Sequence, residues 1–175
     1  METWNIDPMH SEVSFKVKHL VISTVTGSFK SFSGTVESKE NQFEASNINF
    51  EADVKSINTG VEQRDQHLRS DDFFNAEKYP KLLFKGKSFT RKPSGNYELV
   101  GELTIRDTTK TILLDVEYGG TTTDLYGNIK AGFEINGKIK RKEFGLQWDG
   151  LTETGGVVVS DEVKLQASLQ LQKVA

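Results

Sequence analysis

The chain has no cysteine, which excludes disulfides, thiolate zinc sites and cysteine nucleophiles together. Its three histidines, His10, His19 and His67, include no pair in a His-x-x-His or His-Glu-x-x-His spacing, so no metal site is recognisable. No Gly-x-Ser-x-Gly elbow and no Walker-type phosphate loop occurs, and no cofactor is implied. No apolar run approaches the roughly 20 residues of a membrane span, so stable membrane insertion is not expected. A basic surplus is also missing: 22 Lys and Arg against 25 Asp and Glu leave a net charge of −3, which argues against a nucleic-acid partner. The segment Met1 to Pro8 has neither the basic nor the apolar region of a secretion signal. With the lack of cysteine, that makes a cytoplasmic location the expectation.

What is present is alternation. At 175 residues the chain suits a single domain, 1–175, long enough to bury roughly 70 % of its unfolded surface. Apolar residues of one parity recur with period two, the mark of strands with one wet face. Val13, Phe15 and Val17 form one such set, and Ile48, Phe50, Ala52 and Val54 another. Leu99, Leu103 and Ile105 follow, then Ile112, Leu114, Val116 and Tyr118. Ile129 to Ile139 and Val163 to Leu171 complete the pattern. Turn signals fall at Pro93 to Asn96, Gly119-Gly120, Gly127-Asn128 and Gly155-Gly156.

One stretch, Arg64 to Pro80, breaks the period. Thr59 and Glu62 match a capping box, which predicts a helix from about Gly60 to Asp72, and Pro80 forbids continuation past Tyr79. Asp65 and Arg69 are spaced to pair along one helix face. Asp71 and Asp72 read as a solvated acidic pair. A helix with so little apolar content cannot cover a large sheet, so the strands must bury one another's apolar faces. The expected fold is all-β: a single antiparallel barrel of about eight or more strands with one short helical insert near residues 60–79. A two-sheet sandwich is the alternative.

The inward stripes are interrupted by glycine. Gly101 lies between Leu99 and Leu103, Gly137 between Ile135 and Ile139, and Gly86 follows Leu82 and Phe84. Glycine at such positions either leaves volume for a ligand or lets strongly coiled strands bend. On the first reading a tunnel is lined by Phe15, Phe50, Phe84, Gly101, Leu103, Leu114 and Phe133. His19 shares the inward parity of Phe15 and is either a core histidine or a polar handle in that tunnel. His10, beyond the strand start, is placed at a rim. Arg64, His67 and Arg69 either clamp an anionic head group at the barrel mouth or tie the helix to the rim. The basic run Lys138, Lys140, Arg141 and Lys142 either attracts an anion, with Arg141 as its contact, or guards an edge.

Taken together these segments resemble the YceI-like family of lipocalin-like lipid-binding proteins. The resemblance is carried by Ile6 to Ser11 with Phe15, His19 and Leu20, and by Gly27, Phe29, Phe32 and Gly34. Arg64, Asp65, His67, Leu68, Asp72 to Phe74 and Tyr79-Pro80 form its most distinctive part, and Gly101 to Arg106 and Lys140 to Leu146 complete it. Asn75 stands where the family usually has an acidic residue, and Asp107 where glycine is frequent. The resemblance implies an elongated barrel that holds a long-chain amphiphilic lipid, polyisoprenoid-like, with its head near one end. It implies binding, sequestration or transport rather than catalysis. Two alternatives are an enzyme using His19 or His67 with a carboxylate on a prenyl-like substrate, and a stress-related interaction module. Members of the family pair into dimers, so a homodimer is compatible with the resemblance.

Overall fold

A computed structural model describes residues 1–20, 22–40, 42–150 and 159–175. Among them eleven strands form one antiparallel sheet: β1 (Glu2–Ile6), β2 (Glu12–His19), β3 (Ser23–Phe29), β4 (Phe32–Lys39), β5 (Gln42–Asp53), β6 (Ile57–Asn58), β7 (Lys81–Arg91), β8 (Tyr97–Ile105), β9 (Thr108–Thr123), β10 (Ile129–Lys140) and β11 (Val159–Lys173). Several are halves of one bent strand. β1 and β2, separated by a 3-10 turn at Pro8–His10, both pair with β11. β4 and β3 pair with β1 and β2 in turn, and β5 and β6, separated by a turn at Val54–Ser56, pair with β4 and β3. Counted this way, eight strands follow one another around a ring that the β1–β11 pairing closes. The barrel expectation holds, and closure removes the exposed edges that a sandwich would keep.

The first bend has a readable cause. Pro8 has no amide to give a ladder, and Asp7 turns the chain by accepting the Met9 N–H at 3.1 Å. The same carboxylate holds the buried Lys130 ammonium at 2.8 Å, tying the bend to β10.

The period-two parities point inward as expected, with Leu99, Leu103, Ile105, Leu114, Val116, Phe133, Ile139 and Leu171 all buried. Pro93 to Asn96 and Gly127-Asn128 do form the turns that join β7 to β8 and β9 to β10. Gly119-Gly120 does not. Gly120 pairs with Gly132 and Tyr118 with Phe133, so Gly119 is the extra residue of a bulge inside β9. The Gly155-Gly156 signal lies outside the described residues.

The helical insert is shorter than its pattern predicts. Helix α1 (Glu62–Arg69) begins after Val61, without a side-chain cap. Thr59 is engaged elsewhere: Asp65, buried inside the first turn, accepts the Thr59 amide at 2.8 Å and its hydroxyl at 2.6 Å. The capping box is therefore replaced by a wider Thr–Asp closure that meets Asp65 before Arg69 can. The helix stops at Arg69, well before Pro80, because later amides take its last carbonyls: Phe74 N–H bonds Leu68 O at 3.0 Å and Ala76 N–H bonds Arg69 O at 2.9 Å.

Candidate functional site

The barrel encloses a cavity of about 690 Å³, within the range of small-molecule sites. Phe15, Phe50, Phe84, Leu103, Leu114 and Phe133 all line it, as the inward parity requires, and His19 lines it too, at the end of β2. One end is closed by rings. Phe43, at the start of β5, lies 5.1 Å from Trp4, 5.6 Å from Tyr118 and 5.1 Å from Phe133, centroid to centroid. Trp4 is fully buried there, its indole N–H held by Ser38 Oγ at 3.2 Å. The other end carries the helical insert. There Val61 and Gln63 line the cavity and reach solvent, and Thr59, Arg64, His67 and Trp148 join them. The result is a blind apolar tunnel with a polar mouth.

Gly101 does not line it, and the vacated-volume reading of the glycines is corrected. A Cβ at Gly101 would lie 2.7 Å from Lys85 O and 2.7 Å from Phe84 Cε2. At Gly27 it would meet the Phe15 ring at 2.8 Å, at Gly86 Ile48 Cβ at 2.9 Å, and at Gly137 the Leu114 methyl. These glycines receive a neighbour's large side chain flat against the wall. The tunnel stays open because the rings lie in notches, not because the notches are empty.

The mouth sorts the predicted rim residues. Arg64 remains at the cavity: its Nε–H donates to Thr59 Oγ1 at 2.7 Å and an Nη2 N–H to Thr59 O at 2.8 Å. No carboxylate among the described residues lies within ion-pair distance of it. His67 also lines the cavity, with Nε2 2.8 Å from Asp72 Oδ2 and its ring edge-on to Trp148 at 4.6 Å. Asp72 therefore serves His67, while Asp71 receives Arg106 at 2.9 Å, so the two acids are not simply a solvated pair.

Arg69, Arg141 and His10 are corrections. Arg69 points away from the tunnel and donates to Lys55 O at 3.1 Å, Ile57 O at 3.4 Å and Glu62 at 3.1 Å, strapping α1 to the β5–β6 bend. Its expected pairing with Asp65 does not form. Arg141 is 3 % exposed and spends all five N–H groups on Ser160 O, Leu146 O, Trp148 O, Val159 O and the Asp149 carboxylate. It touches the cavity wall but has no donor left for an anion. Lys142 and Arg141 together hold the Asp149 carboxyl below its usual range. His10 lies on the outer surface, 66 % exposed and 2.8 Å from Asp7.

No local pattern announced the aromatic plug, the glycine notches or the role of Thr59. Phe43 and Trp4 are far apart in sequence; the β1–β4–β5 pairing brings them together, and ring closure adds Tyr118 and Phe133. Among the described residues no cluster of His, Asp or Glu could hold a metal ion, and no helix is long and apolar enough to cross a membrane.

A closed eight-stranded antiparallel barrel with a blind apolar interior places the protein in the lipocalin-like class. More narrowly, residues 4–171 match the YceI-like domain, and the chain belongs to that family. It is 36 % identical over 171 residues to a UPF0312 protein of Staphylococcus aureus, covering 97 % of each chain. The solved YCEI protein of Campylobacter jejuni shares 34 % identity at a TM-score of 0.76, with 90 % of each chain covered. Two more distant structures show the same fold. BcnA of Burkholderia cenocepacia has a TM-score of 0.81 at 24 % identity, covering 94 % of this chain and 98 % of that one. A polyisoprenoid binding domain from Saccharophagus degradans, implicated in plant cell wall breakdown, has a TM-score of 0.64 at 16 % identity and 97 % coverage of both chains.

Proposed function

We propose that the protein binds a single-chain amphiphilic lipid, polyisoprenoid-like, with the chain in the tunnel and the head at the Arg64–His67 mouth, without transforming it. The observation that carries this reading is the blind apolar tunnel ending in the Arg64 guanidinium, which no carboxylate among the described residues neutralises. The polyisoprenoid binding domain of the same fold supports the ligand class. At roughly 30 Å³ per water-sized group, 690 Å³ accommodates about twenty heavy atoms. Burying a chain of that length yields on the order of 16 kcal/mol gross, of which association takes about 4–15. The tunnel discriminates poorly between chains of equal width, so the head contacts set selectivity. Sequestration or transport follows from such binding, and the cytoplasm and a homodimer remain the expected setting.

Native mass spectrometry of the purified protein, followed by titration with an isoprenoid alcohol and the corresponding monophosphate, tests this. Arg64→Gln should weaken the phosphate about tenfold to a hundredfold and leave the alcohol within a few-fold. A protein that rejects both ligands overturns the reading. A second reading, acid–base chemistry on such a lipid, draws on the His67–Asp72 contact. Turnover of a bound prenyl phosphate, lost in His67→Ala with binding retained, would establish it.

A further inference from the structure

The outer face of β2, β11 and β10 carries an unusual charge arrangement. Lys16, Lys164 and Lys138 are directly opposite one another across the three strands, and all three are exposed. Like charges facing across a sheet repel, and a row of three has no structural benefit by itself. Lys18 and Lys140 continue the patch toward the mouth. Among the described residues Glu162 is the one acid within it, opposite Lys140 in register and 3.9 Å from Lys138, and no carboxylate among them comes within ion-pair distance of Lys16, Lys18, Lys140 or Lys164. From Glu134 onward the outward residues of β10 run Glu134, Asn136, Lys138, Lys140, so this face becomes positive toward the mouth, while Lys130 at the plugged end is held by Asp7. Glu134 also faces Glu117 across β9. In a chain of net charge −3 this leaves one outer face locally positive toward the mouth.

At the mouth end of this face the chain exposes apolar side chains where water gives them no partner. Ile22 is 87 % exposed and Leu20 41 % at the tip of the β2–β3 hairpin, next to His19 on the cavity wall. Val61, at the mouth itself, is 47 % exposed. At about 3.3 Å per residue Lys18 and Lys16 stand roughly 7 and 13 Å behind Leu20 on the same strand. Apolar tips backed at that distance by lysines fit an interface whose surface is anionic and whose interior is hydrocarbon.

We infer that the mouth end is a docking surface for an anionic lipid bilayer, with Leu20, Ile22 and Val61 entering the interface and Lys16, Lys18, Lys138, Lys140 and Lys164 facing the head groups. The contact is peripheral and orients the tunnel mouth toward the membrane. It goes beyond the lipid-binding reading and does not depend on which ligand fills the tunnel.

Co-sedimentation with vesicles of phosphatidylglycerol and phosphatidylcholine, against pure phosphatidylcholine, tests it. The protein should bind the anionic vesicles and be released by salt. A lysine near such a surface contributes on the order of fivefold, so K16Q/K138Q/K164Q should lose about a hundredfold in partitioning. I22D should lose roughly tenfold to a hundredfold. Both variants should keep the wild-type melting point and the wild-type fluorescence of anilinonaphthalene sulfonate in the tunnel. Failure of the wild-type protein to bind anionic vesicles overturns the proposal, whatever the tunnel holds. So does equal binding to neutral vesicles with no effect of the lysine changes. If I22D instead alters the sedimentation mass and leaves vesicle binding intact, the tip is a contact between copies and the membrane is not its partner.

Discussion

Gly101→Ala isolates what the inward glycines do. The new methyl would stand 2.7 Å from Lys85 O and closer still to the Phe84 ring, which is itself 8 % exposed. The ring can swing only toward the tunnel, and the carbonyl belongs to the β7–β8 ladder and cannot retreat cheaply. Overpacking of this kind costs about 1–3 kcal/mol. For a chain of this length that is a fall of roughly 3–10 °C in melting point, read by circular dichroism or calorimetry. Phe84→Leu in the Gly101→Ala background should recover part of the loss, leaving the share due to Lys85 O. Gly132 provides the control: a Cβ there meets nothing within 4 Å, so Gly132→Ala should be neutral or stabilising by up to about 1 kcal/mol. If Gly101→Ala leaves the melting point unchanged and only weakens lipid binding, the notch argument is wrong and the glycine does hold volume open.

Arg141→Met should destabilise by about 3 kcal/mol or more in urea unfolding, because several carbonyls and Asp149 lose their donor inside the barrel end. A loss under 1 kcal/mol would mean that water replaces the guanidinium. The Asp7 carboxyl is lowered to about 2, chiefly by the Lys130 ammonium and further by His10 and the Met9 amide, against the opposing effect of burial. Its stabilisation is complete above the ordinary carboxylate value near 4 and disappears as pH falls through 2. Asp7→Asn should therefore cost up to about 2 kcal/mol at neutral pH, and the difference from wild type should vanish between pH 4 and 2. A gap that persists at pH 2 would rule out the ion pair as its source. Phe43→Ala should open the plugged end, costing about 3 kcal/mol and shifting preference toward longer chains in a chain-length titration. An unchanged chain-length profile would place the tunnel floor elsewhere.

The strands were legible because a barrel wall sorts residues by a period of two, and Leu99, Leu103 and Ile105 obey it residue by residue. The helical insert was legible as an interruption, yet its chemistry was misassigned. Thr59 pairs with Asp65 and not Glu62, and Arg69 with Glu62 and backbone carbonyls and not Asp65. Local spacing gives which partners are in reach, while burial of Asp65 decides which one wins. Of the rim set, Arg64 and His67 lie at the mouth, whereas Arg141 is consumed by five protein acceptors and His10 sits outside. An arginine beside a strand end looks the same in sequence whether it meets solvent, a ligand or a cluster of carbonyls.

By itself the sequence determined an all-β chain, its inward parities, its single helical interruption and its membership of the YceI-like family, since each depends on short-range pattern or on residues matched in order. The tertiary structure decided what the interior is. Ring closure brings Trp4, Phe43, Tyr118 and Phe133 into one plug, lays Phe84 over Gly101 and turns Arg64 toward a tunnel with no carboxylate among the described residues beside it. Cavities, notches and unpaired charges are made by pairs of residues distant along the chain. Their energies come from close packing and burial, which only the folded barrel imposes.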